Sequence, residues 1–297
     1  MKDALIVSAL SLLPRKPAAR GMGVFARTGA SRLLTRAFVA AYGVDLSEAT
    51  GELGDYATLE ALFTRTLKPG ARPICADADA VVSPVDGTVA AVGTTVRGLI
   101  EVAPGRTLDV AALLDDPPAE RTDDTGPPEA QEYDVAVLYL SPKDYHRVHV
   151  PREGRASRYC YLPGTLWPVF PAAVRKVDNL FSKNERVRIT VEAPDGGPAI
   201  DVVLVGAFGV GRITVSVVDD LVTNTGVVPS SAGTLHPLEP AVPVERGEWL
   251  GTFHLGSTVI LATPASLPRG ITWEVEPGSA VRFGVRIGRV RNQGNGC

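Results

Sequence analysis

Between Ser31 and Tyr42 the apolar residues Leu33, Leu34, Ala37, Phe38, Ala41 and Tyr42 recur at helical spacing, with Arg32 and Arg36 off that face. The pattern predicts a basic amphipathic helix. A second helix is expected across Thr58 to Leu67, where Leu59, Leu62, Phe63 and Leu67 align and Lys68-Pro-Gly stops the run. After Pro73 the period changes. Short β-branched runs broken by Gly and Pro follow one another: Ala80–Ser83, Gly87–Val92, Val135–Leu140, Val187–Val191, Ile200–Val205, Arg212–Val218 and Thr258–Leu261. The expected class is therefore α+β, mainly β. N-terminal amphipathic helices within residues 1–70 lead into a β-rich, sandwich-like or barrel-like core over residues 71–297. Asp115 to Asp134 is acidic, Pro-rich and nearly devoid of groups to bury, so it is expected to be a mobile loop. Pro229 to Pro243 is expected to be irregular.

Composition sharpens this picture in two places. Thirty glycines and 24 prolines in 297 residues exceed what a helical bundle tolerates and favour strands and turns. The net charge of −3 hides an asymmetry. Residues 1–42 carry seven Lys and Arg against Asp3 alone, hence +6, which leaves −9 on the remainder. A basic block woven with apolar residues points to an anionic membrane surface and away from nucleic acid. Ala4 to Leu13 is far short of the ~20 apolar residues of a spanning helix, and no small-residue cleavage site follows it, so neither export nor a membrane span is expected. Cys75, Cys160 and Cys297 are widely spaced, with no CxxC and no histidine at ligand spacing. Free thiols in a reducing, cytosol-facing setting and no metal site are the expectation.

Three segments carry candidate chemistry. In Ser83-Pro-Val-Asp-Gly-Thr-Val89 the Asp86-Gly87 pair reads by default as a tight turn. Leu140-Ser-Pro-Lys-Asp-Tyr-His-Arg-Val-His-Val-Pro151 sets His146 and His149 three residues apart, which face opposite ways on a regular strand and converge on a turn. Gly256-Ser257-Thr258 precedes an apolar strand, and alone it is a common turn. Asp86, His149 and Ser257 also fit a serine hydrolase, but no G-x-S-x-G elbow is present. A β-rich lipid-binding module, with the same residues as mere turns, is the non-enzymatic alternative.

Taken in order, these segments resemble the phosphatidylserine decarboxylase family. The resemblance extends through Tyr42-Gly-Val-Asp-Leu-Ser-Glu-Ala, Phe63 to Ile74, Leu162-Pro-Gly-Thr-Leu, Asn184-Glu-Arg-Val187, and Arg246-Gly-Glu-Trp-Leu-Gly-Thr-Phe running into Leu255-Gly-Ser-Thr. It implies a proenzyme that cuts itself between Gly256 and Ser257 into a large β chain and a small α chain. Ser257 would become a pyruvoyl group that forms a Schiff base with phosphatidylserine, yielding phosphatidylethanolamine and CO₂. The family pattern assigns His149 as base and Asp86 as its orienter for the cut. His146 is the candidate proton donor in turnover, and Thr258 a candidate for positioning the ester oxygen. Loss of CO₂ from an α-amino acid needs an electron sink, which ordinary side chains do not provide. None of the lysines lies in an evident pyridoxal phosphate motif. The resemblance further implies a heterodimer of the two chains, dimerised again, on the cytoplasmic face of the cell membrane. His236 and His254 receive no role.

Overall fold

The structure is a computed structural model that describes residues 14–116, 131–209, 211–254, 257–265 and 270–291. Ala4 to Leu13, residues 117–130 of the acidic stretch, Leu255, Gly256 and Cys297 lie outside the described residues.

The described residues begin with the helices α1 (Arg15–Ala26), α2 (Arg32–Tyr42) and the single-turn α3 (Leu59–Phe63). Helix α1 was not anticipated, because Pro17, Gly21 and Gly23 obscure its period. Pro17 falls in the first turn, where a missing N–H costs nothing. Gly43 ends α2 at φ +65°, a backbone conformation that favours glycine. Helix α3 is shorter than the expected Thr58–Leu67. The Thr58 hydroxyl accepts from the Ala61 N–H and caps the start. After Phe63 the chain leaves the helix to pair with residues 48–50, the Thr50 N–H donating to the Thr66 carbonyl and the Lys68 N–H to the Glu48 carbonyl.

Strands then follow in close succession: β1 (Ala80–Val82), β2 (Gly87–Thr94), β3 (Leu99–Ala103), β4 (Arg106–Asp109), β5 (Tyr133–Leu140), β6 (Arg147–His149) and β7 (Gly154–Leu162). Helix α4 (Val110–Leu114) follows β4, and the short α5 (Pro171–Val174) and α6 (Leu180–Lys183) follow β7. The remaining strands are β8 (Arg186–Glu192), β9 (Ile200–Gly206), β10 (Ile213–Val215), β11 (His236–Val244), β12 (Trp249–Phe253), β13 (Ser257–Pro264), β14 (Ile271–Trp273), β15 (Ala280–Val281) and β16 (Arg286–Val290).

The central sheet has eight antiparallel strands in the order β11-β7-β8-β9-β13-β5-β2-β15. It is open, with β11 and β15 at its edges, so the barrel-like alternative gives way to a layered arrangement. Its inner strands are buried on both faces. Leu138, Leu204, Val259 and Leu261 enter one core, whereas Val137, Val203, Val205 and Ile260 enter another. On the first face lie the small sheets β1-β16-β14 and β10-β12-β6, which add Val81, Val148, Ile213, Leu250, Phe253 and Ile287. On the second lie the β3-β4 hairpin and helices α4 to α6, through Ile100, Leu108, Leu113, Val174 and Phe181. The segment expected to be irregular is in part an edge strand. Its prolines are tolerated in β11 because an edge leaves N–H groups unpaired, and the register with β7 breaks between Pro237 and Val242.

Helix α1 buries the small residues Ala19, Gly23 and Ala26, and polar groups add to the docking. The Lys16 ammonium pairs with buried Glu185 at 2.8 Å, and the Arg15 guanidinium lies 3.7 Å above the Trp167 ring. Much of the larger apolar surface of α1 and α2 is turned outward. In α2 the buried residue is Thr35, while Leu33 is 85% exposed and Leu34 46%. Met22, Val24 and Phe25 of α1 are exposed as well. The Phe38 ring of α2 turns inward, 6.1 Å from the ring of buried Phe63, so α2 leans on the body while Leu33 and Leu34 face out. Among the described residues no helix is long and apolar enough to cross a membrane.

Candidate active site

Strand β13 runs between β5 and β9, and its first residue is Ser257, paired with Leu140 on one side and Gly206 on the other. Ser257 and Thr258 are fully buried, and neither hydroxyl has a hydrogen-bond partner among the described residues. A buried hydroxyl without a partner costs about 1–3 kcal/mol. Two such hydroxyls are consecutive on the central strand.

Leu140, opposite Ser257, leads straight into the double-histidine segment. His146 is fully buried. Its Nδ1 donates to the Asp144 carbonyl at 2.8 Å, which leaves Nε2 bare, and that atom has no partner among the described residues. The ring lies 4.0 Å from the Phe63 ring, and burial pushes its pKa down to about 3. His149 is the last residue of β6. Its Nδ1 donates to the Gly247 carbonyl at 2.9 Å, and the Tyr145 hydroxyl donates to Nε2 at 3.1 Å. The imidazole stacks on Phe283 with 3.6 Å between ring centres, and burial holds its pKa down to about 4.

Asp86 is brought to the same place by backbone pairing. The His149 N–H donates to the Pro84 carbonyl, and the Val82 N–H to the Pro151 carbonyl, so the turn between β1 and β2 runs beside the histidine strand. The Asp86 carboxylate accepts from Arg72 Nε at 3.1 Å, Arg72 Nη2 at 2.6 Å and the Phe283 N–H at 2.8 Å. Arg72 in turn pairs with Glu48. Gly87 is demanded by close approach rather than by a turn conformation, since a Cβ there would meet the Tyr139 carbonyl oxygen at 2.5 Å.

Asp86 and His149 thus share Phe283, one through its N–H and the other through its ring, but no hydrogen bond joins them. Asp86 acts on His149 only through its charge, which favours the protonated imidazole. Nor does His149 bond to Ser257, because both ring nitrogens are engaged elsewhere. Gly256, the other half of the expected scissile bond, lies outside the described residues. Sequence reasoning missed Arg72, Tyr145, Phe283 and the Gly247 carbonyl. Tyr145 sits inside the double-histidine segment, Arg72 inside Phe63 to Ile74 and Gly247 inside the Arg246-Gly-Glu-Trp run, whereas Phe283 comes from a stretch with no local signal. A cleft of about 320 Å³ opens beside Asp86, lined among others by Arg65, Arg72, Lys143, Tyr145 and Arg282.

A family model for phosphatidylserine decarboxylase matches residues 59–289. The chain is 41% identical over 292 residues to a phosphatidylserine decarboxylase proenzyme of Anaeromyxobacter sp. (strain K), covering 97% of this chain and 99% of the relative. This chain belongs to the phosphatidylserine decarboxylase family. Proenzymes of the same name from Myxococcus xanthus (38% over 294 residues, 97% of this chain and 99% of that one) and Brevibacillus brevis (35% over 287 residues, 96% and 97%) agree along nearly the whole length. Membership of the phosphatidylserine decarboxylase family covers the helices as well as the sheets.

Proposed function

We propose that the chain is a phosphatidylserine decarboxylase proenzyme that matures by cutting itself between Gly256 and Ser257. The observation that carries this reading is the buried, unpartnered hydroxyl of Ser257 at the head of the central strand, in a chain similar to proenzymes of that name. The Ser257 Oγ attacks the Gly256 carbonyl carbon, and the amide becomes an ester as the Ser257 nitrogen takes a proton. A base then removes the Ser257 Cα proton. The ester C–O bond breaks, releasing residues 1–256 with a C-terminal carboxylate and leaving a dehydroalanine. Water converts that residue to a pyruvoyl end with loss of ammonia.

A serine hydroxyl needs a base to attack at neutral pH. His149 serves in that role: its Nδ1 proton is fixed on Gly247, so Nε2 is the accepting nitrogen. To reach Ser257 it exchanges its present partner, Tyr145, for the serine hydroxyl. Asp86 offsets the positive charge that then develops on the ring, from a position set by Arg72 and the Phe283 N–H.

The pyruvoyl group supplies the electron sink for loss of CO₂ from the serine head group. The residues fit such a group, because its parent side chain is already buried beside other unpartnered polar atoms. His146, with Nε2 bare and its ring against Phe63, is the group proposed to hold and return the proton at the substrate carbon. The outward apolar side chains of α1 and α2 support a peripheral placement on the cytoplasmic membrane surface, where the acyl chains stay in lipid. The two cut chains remain interleaved, since β13 lies between β5 and β9, and a further dimer of such heterodimers is proposed from the family resemblance. The direct test is CO₂ release from phosphatidylserine vesicles. The wild-type chain releases it and Ser257→Ala does not; equal release by both removes Ser257 from the reaction.

A further inference from the structure

A second pocket, of about 290 Å³, lies between α1 and the loop that follows β10, outside the residues given any role above. Arg20 and Arg27 of the N-terminal segment and Arg212 of the body converge on it, joined by Val24, Thr223 and Thr225, and no carboxylate lines it. The one ion-pair partner of these arginines among the described residues is Glu60, which takes Arg212 Nη1 at 3.2 Å and shares the same oxygen with His254 at 3.0 Å. Arg20 and Arg27 have neither an ion pair nor a side-chain hydrogen bond among the described residues, and Arg20 Nε is buried with no partner. Nearby Glu185 is already matched by Lys16. Three guanidiniums line the pocket, and the one carboxylate paired with any of them among the described residues, Glu60 on Arg212, lies outside its lining, which leaves excess positive charge and unused donors. Such a site suits a phosphate oxygen, for which the guanidinium fork is shaped.

Two features specify the kind of phosphate. The pocket wall includes exposed Val24, next to exposed Phe25 and Met22, so an apolar edge borders a cationic interior. That arrangement matches a phosphodiester at the lipid–water boundary better than a freely soluble anion. The pocket is also tied to the reactive end. The His254 N–H donates to the Arg212 carbonyl, and Ser257 follows three residues later, at most about 11 Å of chain. We infer that Arg20, Arg27 and Arg212 form a seat for the phosphodiester of a glycerophospholipid, from which the head group is presented toward Ser257. This inference rests on the decarboxylase reading for its direction toward Ser257, but the seat itself is testable without it.

The experiment is a ³¹P NMR titration of the full chain with glycerophosphoserine, which keeps the diester and lacks acyl chains, and with inorganic phosphate as a second probe. Arg20→Gln combined with Arg27→Gln weakens glycerophosphoserine binding about tenfold or more, as expected for lost charge-assisted bonds. Arg27→Gln alone, at an exposed position that does not support the fold, weakens it about threefold or more. Inorganic phosphate binds more weakly than the diester. In turnover the double variant raises KM for glycerophosphoserine with kcat little changed, and an O-alkylserine that lacks phosphate is handled as by the wild type. Unaltered glycerophosphoserine binding by Arg27→Gln and the double variant overturns the seat, even if their vesicle binding falls. Equal or tighter binding of inorganic phosphate overturns the lipid assignment. A chain that binds the diester through these arginines yet never decarboxylates keeps the seat and removes the decarboxylase reading.

Discussion

The His149 ring is saturated by neighbours that do no chemistry, so its proposed role as base depends on which of them lets go. Gly247 holds the Nδ1 proton, and Tyr145 occupies the nitrogen that Ser257 needs. Replacing His149 with Ala is expected to slow the cut by about 10² or more, the usual size of general-base help. Tyr145→Phe leaves cutting intact, because it only frees Nε2. Both are read by the disappearance of full-length chain on a denaturing gel, and a Tyr145→Phe variant as slow as His149→Ala would make the tyrosine a relay instead. Burial also fixes the pH behaviour. With folded values near 4 for His149 and 3 for His146, both rings are neutral throughout the neutral range. The rate of cutting should therefore stay flat from about pH 8 to about pH 5.5, without the break near 6.5 of an ordinary histidine. The same depression has a cost in stability. The unfolded chain takes up these protons near pH 6.5 and the folded one only near 3 to 4. Stability is thus full above about pH 6.5 and declines as pH falls toward 4, which denaturant melts at pH 7 and pH 5 will measure. Asp86, His146, His149 and Ser257 were candidates on the sequence through the short segments that resemble the family. Their real partners were not, since Arg72 and Phe283 are 14 and 197 residues from Asp86 and meet it only through the fold.

At the level of elements, the β-branched runs read from the sequence became β1, β2, β5, β8, β9, β10 and β13, while β3, β4, β6, β7, β12 and β14 to β16 offered no such run. Buried runs such as Tyr133–Leu140 and Ile200–Gly206 have the length and β-branching that announce inner strands. The α2 pattern gave the helix but left its face open, because amphipathicity says that one side seeks an apolar phase and not which phase. For α3 the aligned Leu67 was drawn away by pairing with Ala49, a long-range bridge that outweighs one more helical turn. The glycine of the Asp86-Gly87 turn makes a prediction here. Gly87→Ala forces a Cβ to 2.5 Å from the Tyr139 carbonyl oxygen, so β2 must move off β5. A loss of about 1–3 kcal/mol is expected from such overpacking, together with slower cutting as Asp86 shifts. Chemical denaturation measures the first, and a neutral result would show that the β2–β5 contact does not hold Asp86 in place.

Across the whole molecule, one open sheet with a layer on each face buries Ser257 at its centre, while the basic helices hold much of their larger apolar surface outward at the periphery. Deleting residues 1–42 is a poor probe of that periphery, because Lys16 and Arg15 dock on the body, the Phe38 ring meets Phe63, and the Ser31 hydroxyl accepts from the Leu59 N–H. Exposed positions are better. Phe25→Ser with Leu33→Ser and Leu34→Ser should leave cutting unchanged and reduce binding to anionic vesicles by about tenfold or more, each buried side chain being worth about 1.5–3 kcal/mol. Vesicle sedimentation measures it, and undiminished binding would place the membrane contact elsewhere. The central claim, that the chain cuts itself at Ser257, is tested most directly by the intact mass of the purified protein. Two chains are expected, residues 1–256 and a 257–297 fragment whose first residue has lost its amine and become a ketone, with Ser257→Ala remaining whole. A wild-type chain that stays at its full 297-residue mass under conditions where it is folded would contradict the account.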